Sequence, residues 1–379
     1  MTQQPLACLY HRALPNVFAD AVHIMKMCQG FTQAGYAVTL FTPCAPDFDG
    51  NLNSLWHLYG IQQPFEIRFV QGSPVLRGHD VAVKTVAEVR RRGIRHVYAR
   101  NIVAGLWTAQ LGLETVVDLH APPGERMGKL YLSGLFRGRG FRRLNVTTHV
   151  LKGIYLHLYP GSLSPQQVSV DPNGIDLDDF AALPQPTAGR AALGLPERFT
   201  VGYSGHLYPG RGIELILELA RRLPAFQFLL VGGTPEDAAH WRQEAARLEL
   251  HNVTLTGFVP NAELTRWYAA SDVLLMPYQR EVTVHGGKGN SAAFMSPMKM
   301  FEYMATRRVI VSSDLTVLRE VLNDNNACLV PPDDVDRWQA AIEQAHQNPI
   351  HAETLSSRAY ADVQKHTWQQ RARRLMDGL

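Results

Sequence analysis

Two segments in the second half of the chain place a cation at the expected start of a helix. In the first, TVGYSGHLYPGRGIELILELARRL, a strand runs into Gly205, and a loop with Gly210, Arg211 and Gly212 leads to a helix. A helix start presents unpaired N–H groups and attracts anions, so a cation there is favourable only if an anion lies between. Arg211 therefore indicates a phosphate site. The alternative is a structural glycine turn, since neither GxGxxG nor GxxxxGK[ST] is matched.

The second segment is KGNSAAFMSPMKMFEYMATRRVIVSSD. Ser296 is a typical N-cap and Pro297 a typical first helical residue, which puts Lys299 in the first turn. Glu302 follows three residues later, near the same face. Such a helix start could bind a diphosphate through its N–H groups and a sugar hydroxyl through the carboxylate. A capped surface helix with an exposed Lys–Glu pair is the alternative, and both interpretations remain open at this point.

A histidine follows a strand in the first half of the chain. His120 comes directly after VVDL and before Ala-Pro-Pro-Gly, a loop-like break where a ligand site is expected. A buried histidine with a structural role is the alternative. Asp118 and His120 form a single carboxylate–imidazole pair without HExxH, DxD or a His/Cys cluster, so no metal site is predicted.

These residues need strands and helices to position them, and the chain alternates the two. The predicted strands are Leu6–Tyr10, Ala37–Phe41, Glu66–Val70, Ile94–Tyr98, Thr115–Leu119, Leu144–Thr148, Thr200–Tyr203, Phe226–Val231, Val253–Thr256, Val273–Pro277, Val309–Ser312 and Ala327–Val330. The predicted helices are Ala19–Gln33, Gly212–Leu223, Glu236–Leu248, Ala262–Ala270, Pro297–Thr306, Leu315–Leu322 and Asp333–Gln347. This alternation is typical of βαβ units on parallel sheets, so we predict two α/β domains. Residues 171–200, rich in Pro and Gly, are predicted to be the linker between them.

Composition sets limits on the class of protein. The 379 residues are 46% hydrophobic and 19% charged, which is typical of folded domains and not of disorder. The sequence shows no apolar run long enough to span a membrane, no signal peptide and no CxxC pair. A reducing cytoplasm is therefore expected. Residues 1–160 carry 17 Lys and Arg against 9 Asp and Glu, which suits an anionic partner such as a lipid surface or a phosphorylated ligand, with ordinary solvated charge as the alternative. Nucleic acid is disfavoured because no recognition motif accompanies the charge.

The order of several short motifs then resembles a known family. SGHLYPGRGIELILELARRL, FLLVGG, VTLTGFVP, YAASDVLLMPY and SPMKMFEYMATRRVIVSSD resemble the nucleotide-sugar-binding half of family 4 retaining glycosyltransferases, which have the GT-B fold. In the first half, NVFADAVHIMKMCQGFTQAGYAVTLFTP, YARN, VVDLH and VSVDPNGIDLDDF are similar to the same family.

The resemblance implies two Rossmann-like domains that face each other across a cleft. The expected divisions are an acceptor-side domain at 1–180, a nucleotide-sugar-binding domain at 198–360, and a helix at 361–379 that crosses back to the first domain. The implied enzyme is a cytoplasmic, retaining, metal-independent hexosyltransferase of polysaccharide biosynthesis. Its donor would be a nucleotide-diphosphate sugar, without another cofactor.

The resemblance also implies roles for individual residues. Arg211 would hold the donor diphosphate, Glu302 would bind the ribose, Val259 would contact the base, and His120 would lie beside the phosphate and the reacting sugar. His120, Arg211, Lys299 and Glu302 are thus the expected catalytic residues. The remaining expected donor-binding residues are Gly205, His206, Ser296, Met298 and Lys299, and the acceptor-side candidates are Asn16, Arg100 and Asp118.

Three positions depart from the family pattern. His206 stands where many members have arginine, and Phe294 stands where the first glutamate of the paired motif is expected. Asn16 and Ala19 lie where a glycine-rich loop usually follows the first strand. Because of these departures, the identity of the transferred sugar stays open. Two other classes of protein also stay open: a nucleotide-sugar 2-epimerase and a noncatalytic sugar-binding protein. The base, which could be uracil, guanine or adenine, and the acceptor, a glycan, a lipid-linked or a small molecule, also stay open.

Residues 126–143, RMGKLYLSGLFRGRGFRR, interleave apolar bulk with six cations and no acid. This composition suits the inner face of an anionic membrane, with peripheral contact, or a phosphorylated acceptor. The alternative is a helix packed on the core whose arginines are only solvated.

Overall fold

The computed structural model describes residues 3–72, 79–124, 126–283 and 290–379. The chain forms two compact units. Unit 1 comprises Met1–Asn173 together with Thr367–Leu379, and unit 2 comprises Gly174–His366.

Unit 1 is built on a seven-stranded parallel sheet of order β3-β2-β1-β4-β5-β6-β7. Its strands are β1 (Gln4–Leu9), β2 (Tyr36–Thr42), β3 (Glu66–Phe69), β4 (His96–Ala99), β5 (Glu114–Leu119), β6 (Phe141–Val146) and β7 (Val168–Val170). Its helices are α1 (Ala19–Gln33), α2 (Leu52–Tyr59), α3 (His79–Arg91), α4 (Ile102–Gln110), α5 (Arg126–Phe136), α6 (His149–Leu158) and, from the far end of the chain, α14 (Trp368–Met376). The strand order reverses between β1 and β4, which is where such sheets bind ligands.

Unit 2 repeats this plan with a six-stranded parallel sheet of order β10-β9-β8-β11-β12-β13. Its strands are β8 (Thr200–Ser204), β9 (Gln227–Val231), β10 (Val253–Leu255), β11 (Val273–Met276), β12 (Val309–Ser313) and β13 (Cys328–Val330). Its helices are α7 (Pro186–Leu193), α8 (Ile213–Arg222), α9 (Pro235–Arg247), α10 (Leu264–Ala269), α11 (Met298–Ala305), α12 (Val335–Gln347) and α13 (Pro349–Val363). Here the order reverses between β8 and β11.

The two α/β domains predicted from the alternation are confirmed, with parallel strands in every predicted strand segment. The apolar stripe of α1, including Ile24, Cys28 and Phe31, is buried as its helical spacing predicts. The short strand β7, within VSVDPNG, was not predicted from the sequence.

One predicted helix, Leu315–Leu322, is wrong. The segment forms consecutive turns, in which the N–H of Leu318 donates to the carbonyl of Leu315 at 2.9 Å and the N–H of Val321 donates to that of Leu318 at 3.1 Å. Arg319 reaches out of these turns to Asp314 and Asp324 on either side. The β-branched Thr316 and Val317 and the Asn-rich end favour turns over a continuous helix.

Most of the segment predicted as a linker is folded onto unit 2. Helix α7 lies within 171–200, where Gly189 packs against the backbone of Ala269 and Arg190 pairs with Asp272 at 2.7 Å. The division between the units falls earlier, after Asn173. At the other end, α14 packs on α1, with Gly30 directly against the backbone of Trp368.

Among the described residues, every helix is too short or too polar to cross a bilayer.

Candidate functional site

The loop after β8 is shaped by glycines that let other groups approach its backbone. Gly205 and Gly212 have positive φ angles of 128° and 77°. A Cβ on Gly205 would lie 2.9 Å from Nζ of Lys299, so only glycine leaves room for that ammonium group. The Tyr203 hydroxyl donates to the carbonyl of His206 at 2.6 Å and holds the loop beside the strand end.

Arg211 lies in this loop, two residues before α8 begins at Ile213. One guanidinium nitrogen, Nη2, donates to the Tyr208 hydroxyl at 2.7 Å, and Cζ lies 4.7 Å from the Tyr208 ring centre and 5.3 Å from that of Tyr278. Its Nε is buried and has no hydrogen-bond partner within the described part of the chain. A buried donor without a partner costs free energy, so this edge of the guanidinium is suited to a ligand oxygen.

Helix α11 supplies the second cation. The helix begins at Met298 with Pro297 at the N-cap and no side-chain cap bond, so the prediction of Ser296 as N-cap is wrong. The cause is that Pro297 is held in an extended conformation (ψ 132°), which places it outside the helix. Lys299 still falls in the first turn, as predicted.

The ammonium of Lys299 lies over aromatic rings instead of in solvent. Its Nζ is 3.9 Å from the Tyr203 ring centre and 5.3 Å from that of Tyr278, and it too is buried without a hydrogen-bond partner among the described residues. Burial, reinforced by the charge of Arg211, lowers the pKa of Lys299 well below its usual range. Two buried cations thus share the Tyr278 ring at the point where the strand order reverses. An anion between them would relieve both desolvation and repulsion.

Glu302 lies one turn further along α11. Its Oε2 accepts a hydrogen bond of 2.6 Å from the Tyr268 hydroxyl, which also contacts Oγ of Ser204 at 2.9 Å. Tyr303 accepts from the N–H of Ser204 at 2.8 Å. These contacts fix the carboxylate beside the end of β8, on the same helix as Lys299.

The other predicted donor residues lie in unit 2 as well. His206 stacks on Tyr208, with ring centres 5.1 Å apart, next to Arg211. Met298 is the first residue of α11. Val259 is partly buried against the cluster of Leu229, Val231 and Ala270.

In unit 1, Asp118 is fully buried at the end of β5. Its carboxylate accepts from Nδ2 of Asn145 at 2.7 Å, from the Tyr98 hydroxyl and from Nη2 of Arg371 at 3.1 Å. Burial alone would raise its pKa, but the guanidinium of Arg371 and the neighbouring His120 hold the pKa of Asp118 well below its usual range. Asp118 therefore stays ionised, and its partners leave no exposed surface for an acceptor.

His120 bonds the same carboxylate, with Nε2 3.2 Å from Oδ2, and its ring meets that of His23 edge-on at 4.3 Å. Burial and the charge of Arg100 lower the pKa of His120 to about 4. Burial, His120 and Arg100 also lower the pKa of His23 well below its usual range. Both imidazoles are neutral near pH 7, so His120 can share a hydrogen bond with a ligand but brings no charge to it.

The ligand atoms of His23, Asp118 and His120 lie within 4.8 Å of one another, a spacing that could hold a metal ion. The sequence indicated only the Asp118–His120 pair, because His23 comes from a distant helix. The carboxylate is already paired with Arg371, and Arg100 lies 3.9 Å from Oδ2. A divalent cation would have to displace or tolerate these positive charges.

The two remaining acceptor-side candidates differ in what their side chains can offer. Asn16 uses both ends of its amide within its own loop, accepting from the N–H of Phe18 at 3.0 Å and donating to the carbonyl of Ala13 at 2.8 Å. Arg100 follows β4 and donates to the carbonyl of Asp118 at 3.3 Å through one nitrogen. The guanidinium of Arg100 thus keeps other donors for a ligand.

Sequence reasoning missed Arg371, His23, Tyr268 and Tyr278 as parts of these clusters. A signal existed for Arg371, because Trp368, Arg371, Ala372 and Leu375 occupy the buried stripe of α14 at helical spacing. A charged residue inside an apolar stripe indicates a buried partner. Its identity, Asp118, lies 253 residues away and could not be read from local pattern.

Part of the chain matches a family of known proteins. Residues 198–348, which contain Arg211, Lys299 and Glu302, match the family model described as glycosyl transferases group 1. D-inositol 3-phosphate glycosyltransferase of Segniliparus rotundus is 27% identical over 62% of this chain and 51% of its own length. Phosphatidyl-myo-inositol mannosyltransferase of Mycolicibacterium smegmatis is 29% identical over 52% of this chain and 47% of its own length. The chain thus spans about half the length of these curated relatives.

Solved structures match over almost the whole chain. Sucrose-phosphate synthase of Thermosynechococcus elongatus superposes with a TM-score of 0.74 and 20% identity, covering 98% of this chain and 97% of that one. HepE of Anabaena, in complex with UDP-glucose, gives a TM-score of 0.75 and 17% identity with complete coverage of both chains. The two parallel-sheet units are therefore those of a GT-B-like fold.

Proposed function

We propose that this protein is a glycosyltransferase that takes a sugar from a nucleotide-diphosphate sugar and transfers it to an acceptor with retention of configuration. The observation that carries the proposal is the pair of buried cationic nitrogens, Arg211 Nε and Lys299 Nζ, which have no partner among the described residues. They lie within the segment that matches the group 1 glycosyltransferases. Their charge and position suit the diphosphate of a donor.

The same cations would support the chemical step. When the bond between the sugar and the diphosphate breaks, negative charge grows on the leaving phosphate. Arg211, Lys299 and N–H groups in the first turn of α11 would stabilise that charge. Glu302, held by Tyr268, would accept the hydroxyl groups of the nucleotide ribose.

We assign acceptor binding to the strand ends of unit 1. His120 is oriented by Asp118 and is neutral, so it would position a hydroxyl or the reacting sugar without adding charge. In the proposed scheme the acceptor attacks the face that the diphosphate leaves, and a departing phosphate oxygen takes the acceptor's proton. No covalent glycosyl-enzyme forms in this scheme.

We further propose that transfer needs no metal ion, because Arg211 and Lys299 would neutralise the diphosphate themselves. EDTA should then leave turnover unchanged. Loss of turnover in EDTA that magnesium or manganese restores would contradict this part of the proposal. A zinc-specific recovery would instead point to His23, Asp118 and His120.

We also propose that the enzyme is cytoplasmic and makes peripheral contact with the inner face of a membrane through residues 126–143. Only some of these residues are available for that contact. Arg143 is committed to the protein: it donates to the carbonyls of Arg374 (2.6 Å) and Asp377 (3.0 Å) at the end of α14. Arg142 lies 3.4 Å from Glu114. The residues of this segment that remain for a membrane belong to α5 and the turn after it.

The test is calorimetry with UDP, GDP and ADP, begun with UDP because the structural neighbour HepE binds UDP-glucose. Arg211→Ala and Lys299→Met should each weaken binding by about 1.5–3 kcal/mol, the range for a hydrogen bond to a charged group. Arg221→Ala, on the exposed side of α8, is the matched control. Unchanged affinity in both site variants would reject the site.

A panel of nucleotide sugars then separates the activities. Sugar transfer or slow donor hydrolysis supports the glycosyltransferase. An epimerised donor would instead assign a nucleotide-sugar 2-epimerase, and tight donor binding without turnover would assign a sugar-binding protein.

A further inference from the structure

Helix α4 has an unusual surface for a helix on the outside of a domain. Its sequence, IVAGLWTAQ, carries no charged residue. The buried residues Ala104, Gly105, Thr108 and Ala109 face the rest of unit 1, while Trp107 on the opposite side is 48% exposed. A helix that is apolar all round is normally covered on both sides.

Helix α5 continues this apolar surface. Nε2 of Gln110 donates to the carbonyl of Gly134 at 2.7 Å, which fixes the two helices side by side. Trp107 lies one turn before Gln110 on α4, and Leu130 lies one turn before Gly134 on α5. Both residues therefore lie on the N-terminal side of the contact between the two helices. Leu130 is 62% exposed and Met127, one turn earlier, is 56% exposed. We call Trp107, Met127 and Leu130 the α4–α5 face.

Cations surround the α4–α5 face. Arg126 and Lys129 are exposed in the first turn of α5, on either side of Met127. Arg137 is exposed beyond the end of α5, and Arg139 donates to the carbonyl of Leu111 at 3.1 Å, at the end of α4. No acidic residue occurs between 126 and 143.

We propose that the α4–α5 face binds a membrane surface containing anionic lipid, with Trp107, Met127 and Leu130 entering the headgroup region. Tryptophan is favoured at this depth because its ring is apolar and its N–H is polar. The surrounding Lys and Arg residues contribute attraction to anionic headgroups. This inference refines the membrane contact proposed above and rests on that proposal for its biological purpose, but not for its physical basis.

The experiment is flotation of the full chain with vesicles of phosphatidylcholine alone or with phosphatidylglycerol at 30 mol%. We expect binding to the anionic vesicles that weakens as salt is raised. Trp107→Gln/Met127→Gln/Leu130→Gln should lower the partition coefficient at least about tenfold at low salt, because the apolar contribution is removed. Arg126→Ser/Lys129→Ser/Arg137→Ser should abolish the preference for phosphatidylglycerol. Ile350→Gln/Arg337→Ser, in unit 2, removes an apolar side chain that is 79% exposed and an exposed cation, and should bind as the wild type does.

Three outcomes would overturn the inference: no binding to anionic vesicles at low salt, equal binding to both kinds of vesicle, or full binding by the triple glutamine variant. Self-association that depends on Trp107, seen by sedimentation velocity without lipid, would also overturn it by showing a second copy on the face. Nucleoside diphosphate affinity, measured without vesicles, should be unchanged in all variants. A wild type that binds nucleoside diphosphate but not anionic vesicles therefore contradicts only the membrane inference. Vesicle binding without any donor binding contradicts only the proposed function.

Discussion

Lys299 makes the donor site sensitive to protons. Burial and the charge of Arg211 lower its pKa, whereas a bound diphosphate would raise that pKa again by stabilising the ammonium form. Ligand binding should therefore take up a proton wherever the free lysine is neutral. The affinity for nucleoside diphosphate should then fall as pH rises above the pKa of the free enzyme.

Calorimetry in two buffers of different ionisation enthalpy measures this uptake directly. The apparent binding enthalpy of the wild type should differ between the buffers. Lys299→Arg keeps a permanent charge and should give the same enthalpy in both. A wild-type enthalpy that is independent of the buffer would show that Lys299 is already charged before the ligand arrives.

The same residues show why part of this site could be predicted from the sequence. A cation at a helix start is a local anomaly, so Arg211 and Lys299 could be found within their own segments. Tyr278, which lies against both cations, and Tyr268, which bonds Glu302, are outside these two segments and carry no local signal. Ser296 was misassigned because Ser-Pro is a common helix start, and only the backbone of Pro297 shows that the helix begins one residue later.

At the scale of elements, α14 completes unit 1 by delivering Arg371 to Asp118. Arg371→Met should destabilise unit 1 by about 3–5 kcal/mol, because it leaves a buried carboxylate without its cation. Urea denaturation followed by tryptophan fluorescence measures the change. Arg374→Met is the matched control on the same helix, since its partly exposed pair with Asp171 should contribute about 1 kcal/mol or less.

The double variant Asp118→Asn/Arg371→Met tests the cause. Removing both charges should recover much of the loss, since no unpaired carboxylate remains. If the single and double variants unfold at the same urea concentration, the loss comes from packing of the long side chain and not from charge.

Strands and helices were easier to predict from the sequence than the residues that contact each other between them. Strands stood out because buried parallel strands are continuous apolar runs between breakers, and α1 stood out because its stripe repeats at helical spacing. Leu315–Leu322 has a similar apolar content, but its β-branched Thr316 and Val317 and its Asn-rich end favour turns, which the apolar content does not show. The partner of Arg371 depended on the tertiary fold alone.

For the whole molecule, the buried bases predict sensitivity to acid. His120 has its pKa lowered to about 4, and His23 well below the usual value, whereas both titrate near 6.5 when unfolded. Below that pH the unfolded chain binds more protons than the folded one, so stability falls as pH falls. For His120 the loss reaches up to about 3 kcal/mol near pH 4. The lowered pKa of Asp118 adds a further loss only below the usual aspartate range.

Thermal denaturation between pH 7.5 and 5 should therefore show a falling Tm. His120→Asn should flatten this dependence, while His157→Asn, at an exposed position on α6, should leave its slope unchanged. A Tm of the wild type that is constant over this range would mean that the two imidazoles have the same pKa in the folded protein as in the unfolded chain.

The discontinuous make-up of unit 1 also has a consequence for how the protein is made. A ribosome finishes Asp118 253 residues before Arg371, which at roughly 5–20 residues per second is a delay of about 13–50 s. After β7 has been made, the nascent chain contains all seven strands of unit 1 but still lacks α14, so the Asp118 carboxylate is without the guanidinium of Arg371. Unit 2 is one continuous stretch, Gly174–His366, and is fully translated before Arg371. The unit that begins second on the chain therefore has all its residues first, and unit 1 is complete only once α14 has been made.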